Sequence, residues 1–245
     1  MTPDWPQEAR YAGMRWNTPL SEEHAALLIR RMAVDSAESV LDLGCGWGEL
    51  LTRVVAAGTG SGCTGVGVDT DARLLERGRT LARDRGLGER VTFVDANARE
   101  WATPAERVLC VGASHAWGGT AAALAGLASL TPPGGRLLFG CGCWEGEPTP
   151  RAMEIFGDEV LPLADVVRHA RDGGWRVLHL TTADQREWDE FESTWRLGRE
   201  SWLLAEPALS VAAAAALRRE LDDRLLEYIT GYRGVLAFCY LILAR

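Results

Sequence analysis

Glycines at alternate positions connect an apolar run to a helical segment near the start of the chain. The run at residues 40–43 leads directly into Gly44, Gly46 and Gly48. Glycines let the backbone turn sharply and let a ligand approach it closely, while the N-terminus of the next helix faces that ligand. This G-x-G-x-G spacing differs from the G-x-G-x-x-G of dinucleotide-binding turns. We therefore predict a nucleotide-type pocket at the turn.

Carboxylate and amide side chains follow the next two apolar runs. Asp69 ends the second run, and Asp95 and Asn97 follow the third. Because the carboxyl ends of parallel strands meet at one edge of a sheet, we expect these side chains beside the glycines. A carboxylate at the end of the second strand can accept hydrogen bonds from both hydroxyls of a ribose. The alternative for Asp69 is an N-cap or Asx-turn role at the next helix.

One histidine, His115, lies just after the fourth apolar run, at residues 108–111. In an open α/β sheet, the carboxyl end of a strand faces the ligand crevice. An imidazole at that end can accept a proton from a bound ligand at neutral pH. The hypothesis is that His115 is a general base. The alternatives are that it caps the next helix, positions a substrate without titrating, or bonds a backbone carbonyl.

Seven short apolar runs alternate with segments of helical period, a pattern typical of a parallel sheet with helices on both faces. Helices are predicted before the first strand, where Ser21 is placed as the N-cap, and after the second and fourth strands. The predicted strands are residues 40–43, 64–68, 91–94, 108–111, 136–139, 175–180 and 235–243.

The interval 182–230 breaks this alternation and predicts a helical insertion. Trp188, Phe191, Trp195 and Trp202 fall on one face of its first helix. This aromatic stripe is either a wall of a substrate pocket or ordinary core packing. An exposed stripe is equally suited to the interface of a homodimer.

Composition limits the classes of partner. The chain has 245 residues, of which 47% are hydrophobic. Its formal net charge is −8, and its Lys and Arg positions are all arginine. Such an acidic chain is not expected to bind nucleic acid. We find no signal-peptide pattern at the N-terminus, and the longest apolar stretch is too short to cross a bilayer. We expect a cytoplasmic protein without a membrane partner.

The C-x-C pair Cys141 and Cys143 lacks a second ligand pair, so no metal site is predicted.

Five motifs in order make the chain resemble the class I S-adenosylmethionine-dependent methyltransferases. They are V-L-D-L-G-C-G-W-G (40–48), G-V-D (67–69), V-T-F-V-D-A-N-A (91–98), V-G-A-S-H (111–115) and T-P-P-G-G-R-L-L (131–138). The resemblance implies an α/β, Rossmann-like, seven-stranded and mostly parallel sheet whose last strand is antiparallel. It also implies S-adenosyl-L-methionine as cofactor, S-adenosyl-L-homocysteine as product and a small-molecule acceptor.

The resemblance implies one methyltransferase domain over residues 1–245. Residues 1–36 would form an N-terminal cap segment and helix, and residues 38–182 the cofactor-binding core. Residues 183–230 would form the helical insertion, and residues 234–245 the final strand.

The resemblance assigns the methionine moiety and ribose to Gly44 and Gly46, the α-amino group to Asp42, and the ribose hydroxyls to Asp69. Asn97 fills the usually acidic position that bonds the adenine amino group. This is a departure, but an amide oxygen can accept from that amine, and Asp95 is the alternative if the loop is shifted. The cofactor contacts assigned are Asp42, Gly44, Cys45, Gly46, Asp69, Thr70, Ala96, Asn97 and Ala98.

The acceptor pocket of similar methyltransferases is shaped by the N-terminal segment and by the insertion before the last strand. Ten tryptophans in the chain favour an apolar or aromatic acceptor, whose reacting atom is left open. The substrate contacts assigned are Tyr11, Trp16, Trp117, Trp144 and Tyr232. The alternatives are a nicotinamide-dependent oxidoreductase and a non-methylating S-adenosylmethionine-binding member of the same fold.

Overall fold

The computed structural model describes residues 5–35, 37–58, 62–206 and 209–245. In this part of the chain, eight strands form one mixed sheet in the order β3-β2-β1-β4-β5-β8-β7, with β6 paired to β5. The strands are β1 (Ser39–Leu43), β2 (Thr64–Asp69), β3 (Val91–Asp95), β4 (Arg107–Val111), β5 (Arg136–Trp144), β6 (Leu161–Pro162), β7 (Arg176–Thr182) and β8 (Leu236–Ala244).

The pairing of the strands confirms the predicted fold class. β1 lies between β2 and β4, and each of the first five strands runs parallel to its neighbours among them. β8 runs antiparallel to β7, with a register shift between Val177 and His179. The prediction of seven strands lacks β6, because two residues are too few to give a periodic signal.

Nine α-helices accompany the sheet in the described part of the chain. They are α1 (Gln7–Arg10), α2 (Glu22–Met32), α3 (Glu49–Ala57), α4 (Ala72–Asp84), α5 (Thr120–Leu130), α6 (Pro150–Phe156), α7 (Leu163–Asp172), α8 (Gln185–Ala205) and α9 (Val211–Glu227). The Ser21 hydroxyl accepts from the His24 amide at 3.2 Å, which confirms the predicted cap of α2.

The chain forms two compact units. The first, which we call the sheet unit, comprises Ser21–Cys143, Leu161–Thr182 and Phe238–Arg245. The second, the helical unit, comprises the segment up to Leu20 together with Trp144–Val160 and Ala183–Ala237. A single methyltransferase domain over the whole chain stays a prediction.

Burial on both faces holds the centre of the sheet unit together. Almost every residue of β1, β4, β5 and β8 is buried, which explains why these strands read as continuous apolar runs. β7 at the end of the sheet differs, because Leu178 and Leu180 are exposed. The buried central strands fix the positions at which their carboxyl-end loops begin.

The helical unit contains α8 and α9 and confirms the predicted helical insertion. A capping box begins α8: Asp184 accepts from the Glu187 amide, and the Glu187 side chain accepts from the Asp184 amide. Trp195 and Trp202 pack against the buried core of this unit. These two members of the stripe therefore have the packing role. None of the helices in the described ranges is long and apolar enough to cross a membrane.

Candidate functional site

Three left-handed glycines shape the turn between β1 and α3. Gly44, Gly46 and Gly48 have φ values of +75°, +55° and +65°, which L side chains rarely adopt. A Cβ on Gly44 would lie 2.3 Å from the Cβ of Ala113, so the turn touches the loop after β4. A Cβ on Gly46 would meet no described atom within 4 Å. That side of the turn is therefore open to a ligand.

Asp69 ties the glycine turn to the end of β2. Its Oδ2 accepts from the Gly46 amide at 2.8 Å, and its Oδ1 accepts from the Asp71 amide at 3.0 Å. The second bond is the Asx turn that the sequence offered as an alternative, whereas the cap of α4 is Asp71 itself. Carboxylate oxygens have two lone pairs each, so Asp69 can still accept from ribose hydroxyls.

Asp42 is a buried carboxyl group near the end of β1, with 5% of its surface exposed. Burial, and then the negative charge of Asp69, raises its pKa to about 8. Within the described residues, nothing forms a hydrogen bond with this side chain. A buried carboxyl group without a partner favours a cationic ligand. The ammonium group of an amino-acid moiety fits this requirement.

Asn97 begins a short 3₁₀ turn, Ala98–Glu100, after β3. Its Oδ1 accepts from the Arg99 amide at 3.0 Å, and its Nδ2 contacts the Glu100 carboxylate at 3.4 Å. The side chain is exposed, so its second lone pair and remaining N–H face solvent. The cap explains an amide at this position without any ligand, and its adenine contact stays a prediction.

The remaining polar positions at this edge adjoin Asp69. Asp95 is opposite Asp69 in the parallel pairing of β2 and β3, and its side chain is exposed. The Ala96 amide donates to the Asp69 carbonyl at 3.1 Å. Thr70 is exposed, while Ala98 is buried. The structure thus brings the predicted cofactor residues of β1, β2 and β3 to one edge of the sheet.

His115 is exposed in a 3₁₀ turn, Ser114–Trp117, that follows β4. Two residues earlier is Ala113, the residue that Gly44 closely approaches. The loop of His115 therefore lies directly beside the glycine turn. A side chain on this loop is well placed to act on a molecule bound there.

Three of the five residues predicted to contact the acceptor lie in two segments of the chain, one after β4 and one after α1. Trp117 is buried against α5, where a Cβ on Gly126 would lie 2.6 Å from its Nε1. Tyr11 and Trp16 are half-buried residues that follow α1. The contact of Trp117 with α5 indicates a packing role, and substrate contact by all three stays a prediction.

Trp144 and Tyr232 are joined by an aromatic cluster in the helical unit. The ring of Phe156 makes edge-to-face contacts with both, at centroid distances of 5.9 Å to Trp144 and 5.2 Å to Tyr232. Trp188 contacts Tyr232 at 6.3 Å, also edge to face. Two of the five predicted acceptor residues therefore share one set of rings.

Sequence reasoning missed Phe156 as a candidate site residue. It ends α6, a helix too short for a convincing apolar period. The available signal is local: Thr149 caps the helix and Pro150 occupies its first turn. Trp188 belongs to the aromatic stripe, but the sequence alone does not distinguish its contacts from those of Trp195.

Comparisons with known proteins agree with this geometry. Residues 40–135 match a family model described as a methyltransferase domain. The chain is 31% identical over 223 residues to the uncharacterized protein YjhP of Escherichia coli K12, a match that covers 88% of each.

Two similar solved structures are S-adenosylmethionine-dependent methyltransferases in complex with S-adenosyl-L-homocysteine. The protein from Geobacter sulfurreducens is 26% identical, with a TM-score of 0.86 over 98% of both chains. The protein from Thiobacillus denitrificans is 28% identical, with a TM-score of 0.86 over 99% of this chain and 100% of that one. The chain belongs to the class I S-adenosylmethionine-dependent methyltransferase family.

Proposed function

We propose that the chain binds S-adenosylmethionine at the glycine turn and transfers its methyl group to a small organic acceptor. The observation that carries this proposal is the unpartnered, buried Asp42 beside a turn whose Gly46 side is open. When bound, the cofactor supplies an electrophilic methyl group on a sulfonium and leaves as S-adenosyl-L-homocysteine. The chain's own residues must then bind the cofactor and the acceptor, align them with each other and remove the acceptor's proton.

Each proposed cofactor contact matches an available donor or acceptor. Asp42 would pair with the α-ammonium group, and Asp69 would accept from the ribose hydroxyls. Asn97, or Asp95 in its place, would accept from the adenine amine. The other contacts proposed at this edge are Gly44, Cys45, Gly46, Thr70, Ala96 and Ala98.

We propose His115 as the group that removes a proton when the acceptor atom is a hydroxyl, a thiol or an acidic carbon. Its position supports this role, because its loop touches the glycine turn and its side chain is exposed. The imidazole would take the acceptor's proton, and the electron pair on the acceptor atom would then form the bond to the methyl carbon while the sulfur leaves with the pair of the carbon–sulfur bond.

The net charge of −8 supports a small acceptor rather than nucleic acid, since a phosphate backbone needs a basic surface. A cytoplasmic location and a homodimer stay predictions. The nicotinamide-dependent oxidoreductase is disfavoured by the G-x-G-x-G spacing of the turn.

Turnover with methyl-labelled S-adenosylmethionine and a panel of phenols, thiols and β-diketones tests the proposal. We expect S-adenosyl-L-homocysteine and a labelled product with at least one acceptor. For that acceptor, His115→Gln should lower kcat by about 10²-fold or more while cofactor affinity is retained. Unchanged turnover in a folded His115→Gln protein would remove His115 from the mechanism. The absence of both labelled product and cofactor binding would contradict the proposed function.

A further inference from the structure

One face of α9 contributes to the core of the helical unit, and the opposite face is largely exposed. Leu217, Leu221 and Tyr228 lie on the inward face and are buried. On the outward face, six residues follow one another at alternate spacings of three and four, which is the spacing of the a and d positions of a heptad. We call these residues the outer seam: Ala212, Ala215, Arg219, Asp222, Leu226 and Ile229.

The two ends of the outer seam are both apolar but differ in size. Leu226, in the last turn of α9, is 59% exposed, and Ile229, in the π-helical turn that follows, is 55% exposed. Ala212 and Ala215 form the other end, where small side chains leave room for larger ones. Covering large apolar side chains removes them from water and is favourable. The large end of one seam is therefore suited in size to the small end of another.

Opposite charges occupy the centre of the outer seam. Arg219 is exposed, and its side chain forms no hydrogen bond or ion pair within residues 5–35, 37–58, 62–206 and 209–245. The Oδ1 of Asp222 accepts from Arg196 of α8 at 2.9 Å, and the Asp222 side chain is 64% exposed. Because a carboxylate has two acceptor oxygens, Oδ2 can accept from a second arginine. The centre of the seam can thus form ion pairs with another molecule.

The outer seam is complementary to itself when it is turned end for end. An antiparallel second copy, centred between Glu220 and Leu221, places position 212 opposite 229, position 215 opposite 226, and position 219 opposite 222. Each alanine then meets a leucine or an isoleucine, and each Arg219 meets the Asp222 of the other copy. A parallel copy would instead bring Arg219 against Arg219 and Asp222 against Asp222, and like charges in contact are unfavourable.

We propose that the outer seam of α9 binds the outer seam of a second copy of this chain, as an antiparallel pair of helices with two-fold symmetry. Every contact of such an interface occurs twice, because the same surface serves both copies. The apolar ends supply the buried surface, and the central ion pairs fix orientation and register. One helix from each copy is a small interface, so we expect a dissociation constant on the order of 10 to 100 μM. This inference does not depend on the proposed function.

Sedimentation equilibrium of the full chain, from about 5 to about 500 μM, tests the inference through a charge exchange. Arg219→Asp should weaken the dimer at least about tenfold, because it brings carboxylates of the two copies together. The double variant Arg219→Asp, Asp222→Arg restores opposite charges across the interface, and its dissociation constant should return to within about threefold of wild type. The control Arg186→Asp makes the same change of charge at the exposed start of α8 and should leave the dimer unchanged.

Crosslinking measures the orientation of the two helices independently of affinity. In a mixture of Ala215→Cys and Leu226→Cys proteins, a short bis-maleimide should join unlike chains. Like chains should not be joined, because their added thiols are separated by 11 residues along the helix axis, or about 16 Å. Wild-type protein controls for the native cysteines. A monomer at every concentration, a dimer that Arg219→Asp does not weaken, a folded double variant that does not recover, or crosslinks mainly between like chains would overturn the inference.

Discussion

At the residue scale, two carboxylates at the same sheet edge have different surroundings. Both oxygens of Asp69 accept backbone N–H bonds, whereas Asp42 is buried with no described hydrogen-bond partner. Asp69 therefore has a structural role that is independent of any ligand. Asp42 gains little from the fold itself, and its chemistry is best explained by a cationic ligand.

The raised pKa of Asp42 predicts that cofactor binding releases a proton. With a pKa of about 8, Asp42 is largely protonated at pH 7 in the free protein and must ionise to pair with an ammonium group. We expect S-adenosyl-L-homocysteine affinity to rise between pH 6 and about pH 8. Calorimetry in phosphate and in Tris, whose ionisation heats differ, measures the proton released.

The same group gives stability a defined pH dependence. Because its pKa of about 8 in the folded state lies above the ordinary value of 3.8, the folded state binds more protons than the unfolded state between these two pH values. This group's contribution to the free energy of unfolding therefore falls as pH rises from about 4 to about 8. Asp42→Asn should remove both this fall and the proton release. A variant with unchanged proton release would show that another group ionises.

The glycine turn offers a matched pair of substitutions. Gly44→Ala combines a left-handed φ with a Cβ 2.3 Å from Ala113, so we expect a loss of about 3 kcal/mol of stability. Gly46→Ala has only the φ cost, about 1 kcal/mol. Its Cβ points into the open side, so affinity for S-adenosyl-L-homocysteine should fall by about tenfold. Urea unfolding measures the stability of each variant, and calorimetry measures its affinity for S-adenosyl-L-homocysteine. Equal effects of the two substitutions on both quantities would contradict the assignment of the Gly46 side of the turn to the ligand.

At the element scale, helices approach their neighbours closely at glycines. In the sheet unit, a Cβ on Gly78 of α4 would lie 2.7 Å from the ring of Phe93. A Cβ on Gly126 of α5 would lie 2.6 Å from Trp117 Nε1. Glycine inside a helix ordinarily lowers stability by about 1 kcal/mol relative to alanine. Here it allows each helix to pack against an aromatic ring.

Packing at Gly126 links α5 to the loop that contains His115. Gly126→Ala should gain helix propensity yet lose about 1 kcal/mol overall, because buried Trp117 cannot move freely away from the new Cβ. A shift of the turn Ser114–Trp117 should lower methyl-transfer turnover and leave cofactor affinity unchanged. The exposed neighbour Ala125 provides the control, since Ala125→Gly should lower stability by a similar amount without changing turnover.

At the scale of the whole molecule, features specified by local sequence were predictable and long-range contacts were not. The glycine turn, the Ser21 cap and the insertion follow from residues that are neighbours in sequence. By contrast, Trp188 contacts Tyr232, which in turn contacts Phe156, and all three are distant from one another along the chain. The burial of Asp42 also depends on the assembled sheet. Contacts between residues that are distant along the chain therefore determine whether a tryptophan packs in a core or faces a ligand.

We propose that the edge formed by β1, β2 and β3 binds S-adenosylmethionine. Calorimetric titration of the protein with S-adenosyl-L-methionine, S-adenosyl-L-homocysteine and NAD measures this binding, with Asp69→Ala and the exposed Asp95→Ala as the variant pair. Thermal unfolding of each variant checks that the fold is retained. We predict dissociation constants on the order of 1 μM for both sulfur nucleotides and no binding of NAD. Asp69→Ala should weaken binding by at least about tenfold, and more than Asp95→Ala does. Binding of NAD in place of the sulfur nucleotides, or wild-type affinity in a folded Asp69→Ala protein, would contradict the account.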